Sequence, residues 1–429
     1  MSLPTAYKLT GPLFRGLSIL ALTLAGTTQA FALPSFARQT GDSCDACHVG
    51  SFGPQLTPHG MKFKLGGYTD SDGKEGHIPL AAMLIDTYTH TRKKQDEADL
   101  PKGFSANDNN AVQEVSAFLA GKLTEHVGSF AQLTYSGVDK RTSLDNTDVR
   151  YAKETTLFGQ EGTFGISFNN NPSMQDPFNT LPAWRFPYTS SDLAPGPEAA
   201  PLLDDGVAGT VYGATAYGML PNGFYAELGA YRTFSESFLN DINVEPGQKI
   251  NGLAPYWRLA YYQDLRTRVW SVGLIGMSAK LVDYHSPGAS DKYSDIGIDG
   301  HYQFLGNRKK IVSVDGSYIH ESLSLDGSNP ADPNATLNQL NLAGSYYYDK
   351  TYGATARYFN TTATGGDFDS KGWMLQADWT PFGKEESWNA PWANLRVGLQ
   401  YTIYNTLKID GDSVDGDANT LMAFVWLSM

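Results

Sequence analysis

From residue 78 to residue 429 the chain alternates. Segments of about ten residues set apolar side chains at every second position, with polar or small ones between them and turn residues at the ends. Leu395, Val397, Leu399, Tyr401 and Ile403 interleave with Arg396, Gly398, Gln400 and Thr402. Ile296, Ile298, Tyr302 and Phe304 interleave with Asp295, Gly297, Asp299, His301 and Gln303. The stretches 312–318 and 373–379 repeat the pattern. A period of two sends the two sets to opposite faces of a strand. One face suits lipid and the other a polar lumen.

About sixteen such segments can be marked. They cover 78–92, 111–127, 128–140, 147–156, 161–170, 207–221, 223–234, 254–265, 268–282, 294–306, 309–322, 337–350, 351–362, 371–382, 393–407 and 420–429. Connections after odd-numbered segments run to roughly six to thirty-six residues, and those after even-numbered ones to roughly zero to four, as in outer-membrane barrels. The connection around 383–391 is the exception. The expected fold is therefore all-β, a transmembrane antiparallel β-barrel over 78–429. Its first strand starts in the periplasm. A terminal Phe or Trp is usual for such barrels, and here the chain ends Trp426-Leu427-Ser428-Met429. A soluble sandwich of this length would need two domains, and no linker divides the segment. No repeated signature with a period of 20–50 residues is present either. The mean hydropathy is −0.33, and no later stretch approaches the run of about 20 apolar residues that a membrane helix needs.

Residues 1–32 read as a signal peptide. Lys8 and Arg15 precede a short apolar stretch, 17–25, and Ala30-Phe31-Ala32 fits the cleavage rule. The formal charge is −13, and loss of Lys8 and Arg15 makes the remainder more acidic still. Such a chain is a poor nucleic-acid binder.

Residues 33–77 form a Gly- and Pro-rich unit too small for a core of its own. It contains Cys44-Asp45-Ala46-Cys47-His48, with the only two cysteines of the chain. Two thiols three positions apart followed by a histidine make the c-type haem attachment pattern. The sulfurs bind the two vinyl groups and the imidazole reaches the iron. A disulfide, a redox pair or half a zinc site are the competing readings. A redox pair has no need of the histidine, and a zinc site needs further ligands.

The residues around the motif extend the pattern. Pro34-Ser35-Phe36-Ala37-Arg38-Gln39-Thr40-Gly41 precedes it, and Leu56-Thr57-Pro58 and Phe63-Lys64-Leu65-Gly66-Gly67-Tyr68 follow it. This segment resembles the fused cytochrome–porin family of bacterial outer membranes, which includes iron-oxidising outer-membrane cytochromes. The resemblance covers residues 34–68; the barrel shares architecture only. It implies a monohaem segment plugging the periplasmic side of a barrel, with haem c on Cys44 and Cys47 and His48 as proximal iron ligand. The family carries an aromatic residue, Gly and Arg after the Leu-x-x segment, where this chain has His59-Gly60-Met61. His59 is the first candidate for the distal ligand and Met61 the second. His77, His90 and an iron without a protein sixth ligand remain as alternatives. Arg38, Lys62 and Lys64 are candidate propionate partners, or ordinary charges facing a polar lumen.

The expected outer loops are acidic. They carry Asp96, Glu97 and Asp99, then Asp204 and Asp205, then Asp410, Asp412, Asp415 and Asp417. A negative rim concentrates divalent cations, although solvated surface charge explains the same residues. His126, His285, His301 and His320 form no metal spacing. The resulting expectation is an outer-membrane electron conduit from an extracellular donor such as Fe(II), through one haem, to a periplasmic c-type cytochrome or other soluble carrier. The alternatives are a transport porin with a structural or sensory haem, and a periplasmic haem peroxidase.

Overall fold

A computed structural model describes residues 34–74, 76–98, 100–157, 159–284, 288–409 and 411–429. The signal-peptide segment, Asp99, His285 and Asp410 lie outside the described residues, as does the side chain of Asp205. One sheet holds eighteen strands. Two are short: Gln248–Ile250, and Asp412–Ser413 in a loop hairpin. The other sixteen are the staves of a closed antiparallel barrel. They are β1 Leu80–Thr91, β2 Asn109–Lys122, β3 Val127–Ser136, β4 Arg141–Leu157, β5 Gln160–Asn169, β6 Val211–Met219, β7 Phe224–Thr233, β8 Ala254–Asp264, β9 Arg268–Asp283, β10 Asp291–Phe304, β11 Lys310–Ser324, β12 Asn334–Tyr348, β13 Tyr352–Ala363, β14 Ser370–Trp379, β15 Asn394–Ile409 and β16 Thr420–Ser428.

Each expected segment is one stave. Closure is made by β1, which pairs with β2 on one side and β16 on the other, with Leu84 opposite Leu427 and Met83 opposite Ser428. The main chain of Met429 also exchanges hydrogen bonds with that of Ala82, so the seam closes without a terminal aromatic residue.

The connections are long at one end, with the longest over 170–210, and short at the other. One departs from the expected lengths, and the expected exception around 383–391 is present. Residues 137–140 form a tight turn at the long-loop end, because Arg141, Thr142, Ser143 and Leu144 pair with β3 instead of looping out. This stretch lacks alternation, but main-chain pairing does not require it; Asp145 turns inward and accepts a hydrogen bond from Thr134 at 3.0 Å. Residues 380–393 are long at the short-turn end, where Gly383 accepts a hydrogen bond from the main chain of Asp45.

The barrel is apolar outside and polar inside. Leu259, Leu274, Ile298, Val314, Leu342, Leu375 and Leu399 are exposed on the outer face, and Tyr348, Tyr352, Trp379 and Phe304 gather near the short-turn end. An apolar band edged by aromatic rings is the surface a bilayer requires. The buried positions include Gln132, Asp148, Arg150, Arg258, Asp299, Gln303, Asp378, Arg396 and Gln400.

Buried polar groups need partners, and two inserted segments supply them. The first is the N-terminal segment, with helices α1 Pro34–Thr40, α2 Cys44–Cys47 and α3 Pro58–Leu65. The second is the connection 170–210, which turns inward. Arg150 joins both to the wall. Its guanidinium pairs with Asp148 at 2.6 Å and donates to the carbonyls of Lys64 at 3.0 Å and Gln175 at 2.8 Å. Arg258 pairs with Asp299 at 2.7 Å and with Asp176 of the connection at 3.3 Å. Arg396 pairs with Asp378 at 2.9 Å and lies 5.4 Å from the ring of Tyr188.

Removing one member of a buried pair strands the other, at about 3–5 kcal/mol, whereas replacing both with apolar residues can be neutral. Arg150→Met is therefore expected to lower stability by that amount, and Asp148→Leu/Arg150→Met to recover part of the loss. Urea unfolding in lipid vesicles measures both. A double variant as unstable as the sum of its single changes would contradict direct pairing.

Candidate functional site

The turn Cys44–His48 is braced from several sides. Helix α2 is a single turn, closed by the bond from the amide of His48 to the carbonyl of Cys44 at 2.8 Å. The next residues fold back, so that His48 bridges to Leu56. The amide of Thr57 donates to the carbonyl of Cys47 at 2.8 Å, and its hydroxyl donates to that of Ala46. Thr57 is also the N-cap of α3, accepting from the amide of Gly60, and Pro58 occupies the first helical turn. The Leu56-Thr57-Pro58 sequence thus couples the thiol turn to the following helix.

The wall fixes the same unit. Asp45 forms an ion pair with Lys350 of the β12–β13 turn. Asn394 donates to the carbonyl of Ser51 at 2.6 Å, Gln303 to that of Leu56 at 2.8 Å, and Gln55 reaches Asp315 at 2.9 Å. Phe36 stacks on Tyr68 at 5.5 Å and meets Phe63 edge-on at 5.0 Å.

Between this unit and the inward connection lies a cavity of about 490 Å³, within the range of cofactor sites. Cys44, Cys47 and His48 all line it, with Phe63 and Lys64 of α3, Phe118 and Phe130 of the wall, and Trp184 and Tyr188 of the connection. The cysteines are free. Burial pushes the thiol of Cys44 up to about 11 and that of Cys47 up to about 12, the latter reinforced by Asp42. Redox and zinc cysteines are activated in the opposite direction. Burial likewise lowers His48 to about 4, against smaller opposing contributions from the backbone at Gly53 and Gln55. The imidazole is therefore neutral, its ligating form. It lies deep in the molecule yet keeps accessible surface, as a ring facing an internal cavity must. Its Nδ1 is buried without a hydrogen-bond partner. Two thiols, a neutral imidazole on the same lining and aromatic walls fit a covalently attached haem.

The other sequence candidates are placed as follows. Lys64 lines the cavity; its Nζ donates to the carbonyl of Met174 and to Asn179, both at 2.7 Å, and lies 4.4 Å from the Trp184 ring. Burial, with Arg150 nearby, lowers its pKa to about 7. Arg38 points elsewhere, donating to the carbonyls of Ile78 and Leu80 where the chain approaches β1. Lys62 is exposed on the far side of α3 and lines a different cavity. Met61 is buried among Leu56, Phe178 and Tyr217 and lines that second cavity as well. His59 is half exposed, with Nε2 at 2.8 Å from Asp42. His77 pairs with Asp72 and His90 with Asp108. Cys44, Cys47, His48 and Lys64 are thus brought together on one cavity, whose lining does not include His59, Met61, His77 or His90. Ligand atoms of Asp42, Cys47 and His59 lie within 4.8 Å of one another. A thioether at Cys47 would take the thiolate out of that group.

The acidic loop residues divide. Asp417 pairs with Lys93 at 3.0 Å near the rim. Asp204 does not belong to the rim: it is buried and paired with Arg185, because 170–210 turns inward. Trp184, Arg185 and Tyr188 had no place among the sequence candidates. The signal was their neighbourhood, since Phe178, Leu181, Trp184, Phe186 and Tyr188 make this connection more apolar than an exposed loop needs to be.

Gly60 marks a close contact of the site. A Cβ there would sit 2.4 Å from the carbonyl oxygen of Cys47. Gly60→Ala is expected to push α3 off the thiol turn and to speed tryptic cleavage at Arg38, Lys62 and Lys64 severalfold. Gly344→Ala, where the added atom meets nothing within 4 Å, serves as the control. Equal cleavage in the two variants would contradict the close packing.

No family model matches the chain, and no curated protein matches it. Solved structures similar to it include an anion-selective porin from Comamonas acidovorans, at 12% identity and TM-score 0.49 over 81% of this chain and 98% of that one. OmpF of Salmonella typhi in complex with daunomycin is similar at 12% identity and TM-score 0.48, over 82% and 97%. The outer membrane channel DcaP of Acinetobacter baumannii is similar at 12% identity and TM-score 0.46, over 82% and 96%.

Proposed function

We propose that this chain is a bacterial outer-membrane barrel that holds one covalently attached c-type haem in its lumen. Its role is to pass electrons between an extracellular donor, Fe(II) foremost, and soluble carriers of the periplasm. The observation that carries the reading is the convergence of Cys44, Cys47 and His48 on one interior cavity of cofactor size. A haem bound there would supply one-electron chemistry that the chain's own side chains lack.

The chain supplies the rest. Cys44 and Cys47 anchor, and the neutral His48 ligates. Phe63, Phe118, Phe130 and Trp184 present apolar surface, and Lys64 and Arg185 are the basic groups on the lining for a propionate. The N-terminal segment occupies the short-turn end, which faces the periplasm in barrels of this kind. The long loops then face outward, and acidic residues such as Asp96, Glu97 and Asp412 raise the local concentration of cations.

A second reading is a transport porin whose haem is structural or sensory. The polar lumen favours it, with Gln132, Gln303, Gln376 and Gln400 among its buried wall residues.

Both readings are tested in one preparation. Haem-loaded protein in liposomes is expected to reduce a trapped acceptor when Fe(II) is added outside. His48→Ala is expected to slow this at least tenfold while leaving the barrel assembled. No transfer under a favourable driving force would sink the conduit. Steady solute conductance in a planar bilayer would establish the porin instead.

A further inference from the structure

The lumen holds another chamber, of about 400 Å³, in its long-loop half. Arg185 and Asp204 of the inward connection line it, with Asn341 of β12, Arg357 of β13 and Tyr404 of β15. Four of the interior arginines face carboxylates: Arg150 with Asp148, Arg258 with Asp299, Arg396 with Asp378, and Arg185 with Asp204. Arg357 does not. Its Nε donates to Asn341 Oδ1 at 2.9 Å, and its Nη2 donates to the same atom. Its carbon lies 5.5 Å from the Phe359 ring. Among the described residues it has no carboxylate partner, and its Nη1 makes no hydrogen bond.

Among the described residues the charges of this chamber do not balance. Arg185 and Asp204 neutralise each other, and Asn341 satisfies two donors of Arg357 without cancelling its charge. An enclosed guanidinium of this kind is costly unless an anion accompanies it. Its planar fork suits two oxygens of one anion. Thr361, Ser370 and Thr402 add hydroxyl groups to a lining that also contains Phe359, Met374 and Met422. A volume of this order accepts a small molecule. We propose that this chamber binds one small oxyanion, a carboxylate or inorganic phosphate, with Arg357 as its principal contact.

The site stands independently of the haem reading. It also adjoins the first cavity, because Arg185 and Pro187 line both. An anion beside Arg357 would therefore lie just beyond the segment that roofs the cysteines.

Calorimetric titration of the full mature chain in detergent, with succinate, inorganic phosphate and chloride in turn, tests the proposal. Saturable binding of succinate or phosphate is expected, at least tenfold tighter than chloride. Arg357→Gln is expected to weaken it at least tenfold. Arg357→Lys, which keeps the charge but not the fork, should weaken it severalfold, and carries the test if Arg357→Gln does not fold. Tighter succinate would assign the site to carboxylates, and tighter phosphate to phosphate. Absence of saturable binding, chloride binding as tight as either oxyanion, or unchanged affinity in the variants would overturn the proposal.

Discussion

The guanidinium of Arg150 holds three parts of the molecule at one point. It bonds to the wall through Asp148, to helix α3 through the carbonyl of Lys64, and to the inward connection through that of Gln175. A closed barrel satisfies its own main chain, and only inward side chains of the wall draw on its contents. Its contents, however, need the wall. The N-terminal segment has too few apolar residues for a core, and the connection 170–210 has little regular structure. Both keep their places through polar bonds made to inward-facing positions of the staves. Arg258 repeats the device through Asp176, and Arg396, paired within the wall to Asp378, meets the connection at the ring of Tyr188. These ion pairs contribute position more than stability, since a buried pair repays its desolvation only in part.

The cavity follows from that placement. The thiol turn forms its floor, bonded to the short-turn end through Lys350, Gly383 and Asn394. The connection forms its roof through Trp184 and Tyr188, and the wall contributes Phe118 and Phe130. Such an enclosure keeps the thiols and the imidazole neutral, which suits ligation and thioether chemistry and disfavours the thiolate chemistry of redox or zinc sites. The same enclosure separates function from lipid. The outer face carries an apolar band, and Cys44, Cys47 and His48 line a cavity inside.

The barrel was legible because alternation is a local property. Leu395 to Ile403 declares its two faces without reference to any other strand, and the seam between β1 and β16 follows once the count is even. The thiol turn was legible for the same reason, being contiguous. The contents of the lumen were not. Nothing local says that 170–210 turns inward, and so Asp204 read as a surface charge although it is buried against Arg185. The direction of a helical side chain is equally non-local. Met61 and Lys64 lie three positions apart on α3, yet Lys64 lines the cysteine cavity and Met61 packs against Phe178 and Tyr217. Which of Arg38, Lys62 and Lys64 reaches the cavity depends on how α1 and α3 dock, and only the wall decides that. Arg357 has no sequence signal at all; its significance is that, among the described residues, it pairs with Asn341 and with no carboxylate.

The most direct measurement is the mass and visible spectrum of the mature chain, extracted from the outer membrane of a bacterium that assembles c-type cytochromes. A chain heavier than its polypeptide by one haem, with a Soret band that survives denaturation, is expected. Cys44→Ala/Cys47→Ala should lose both signals while still forming the barrel. A polypeptide of unmodified mass without a Soret band would contradict the proposed function and leave a barrel whose lumen serves another purpose.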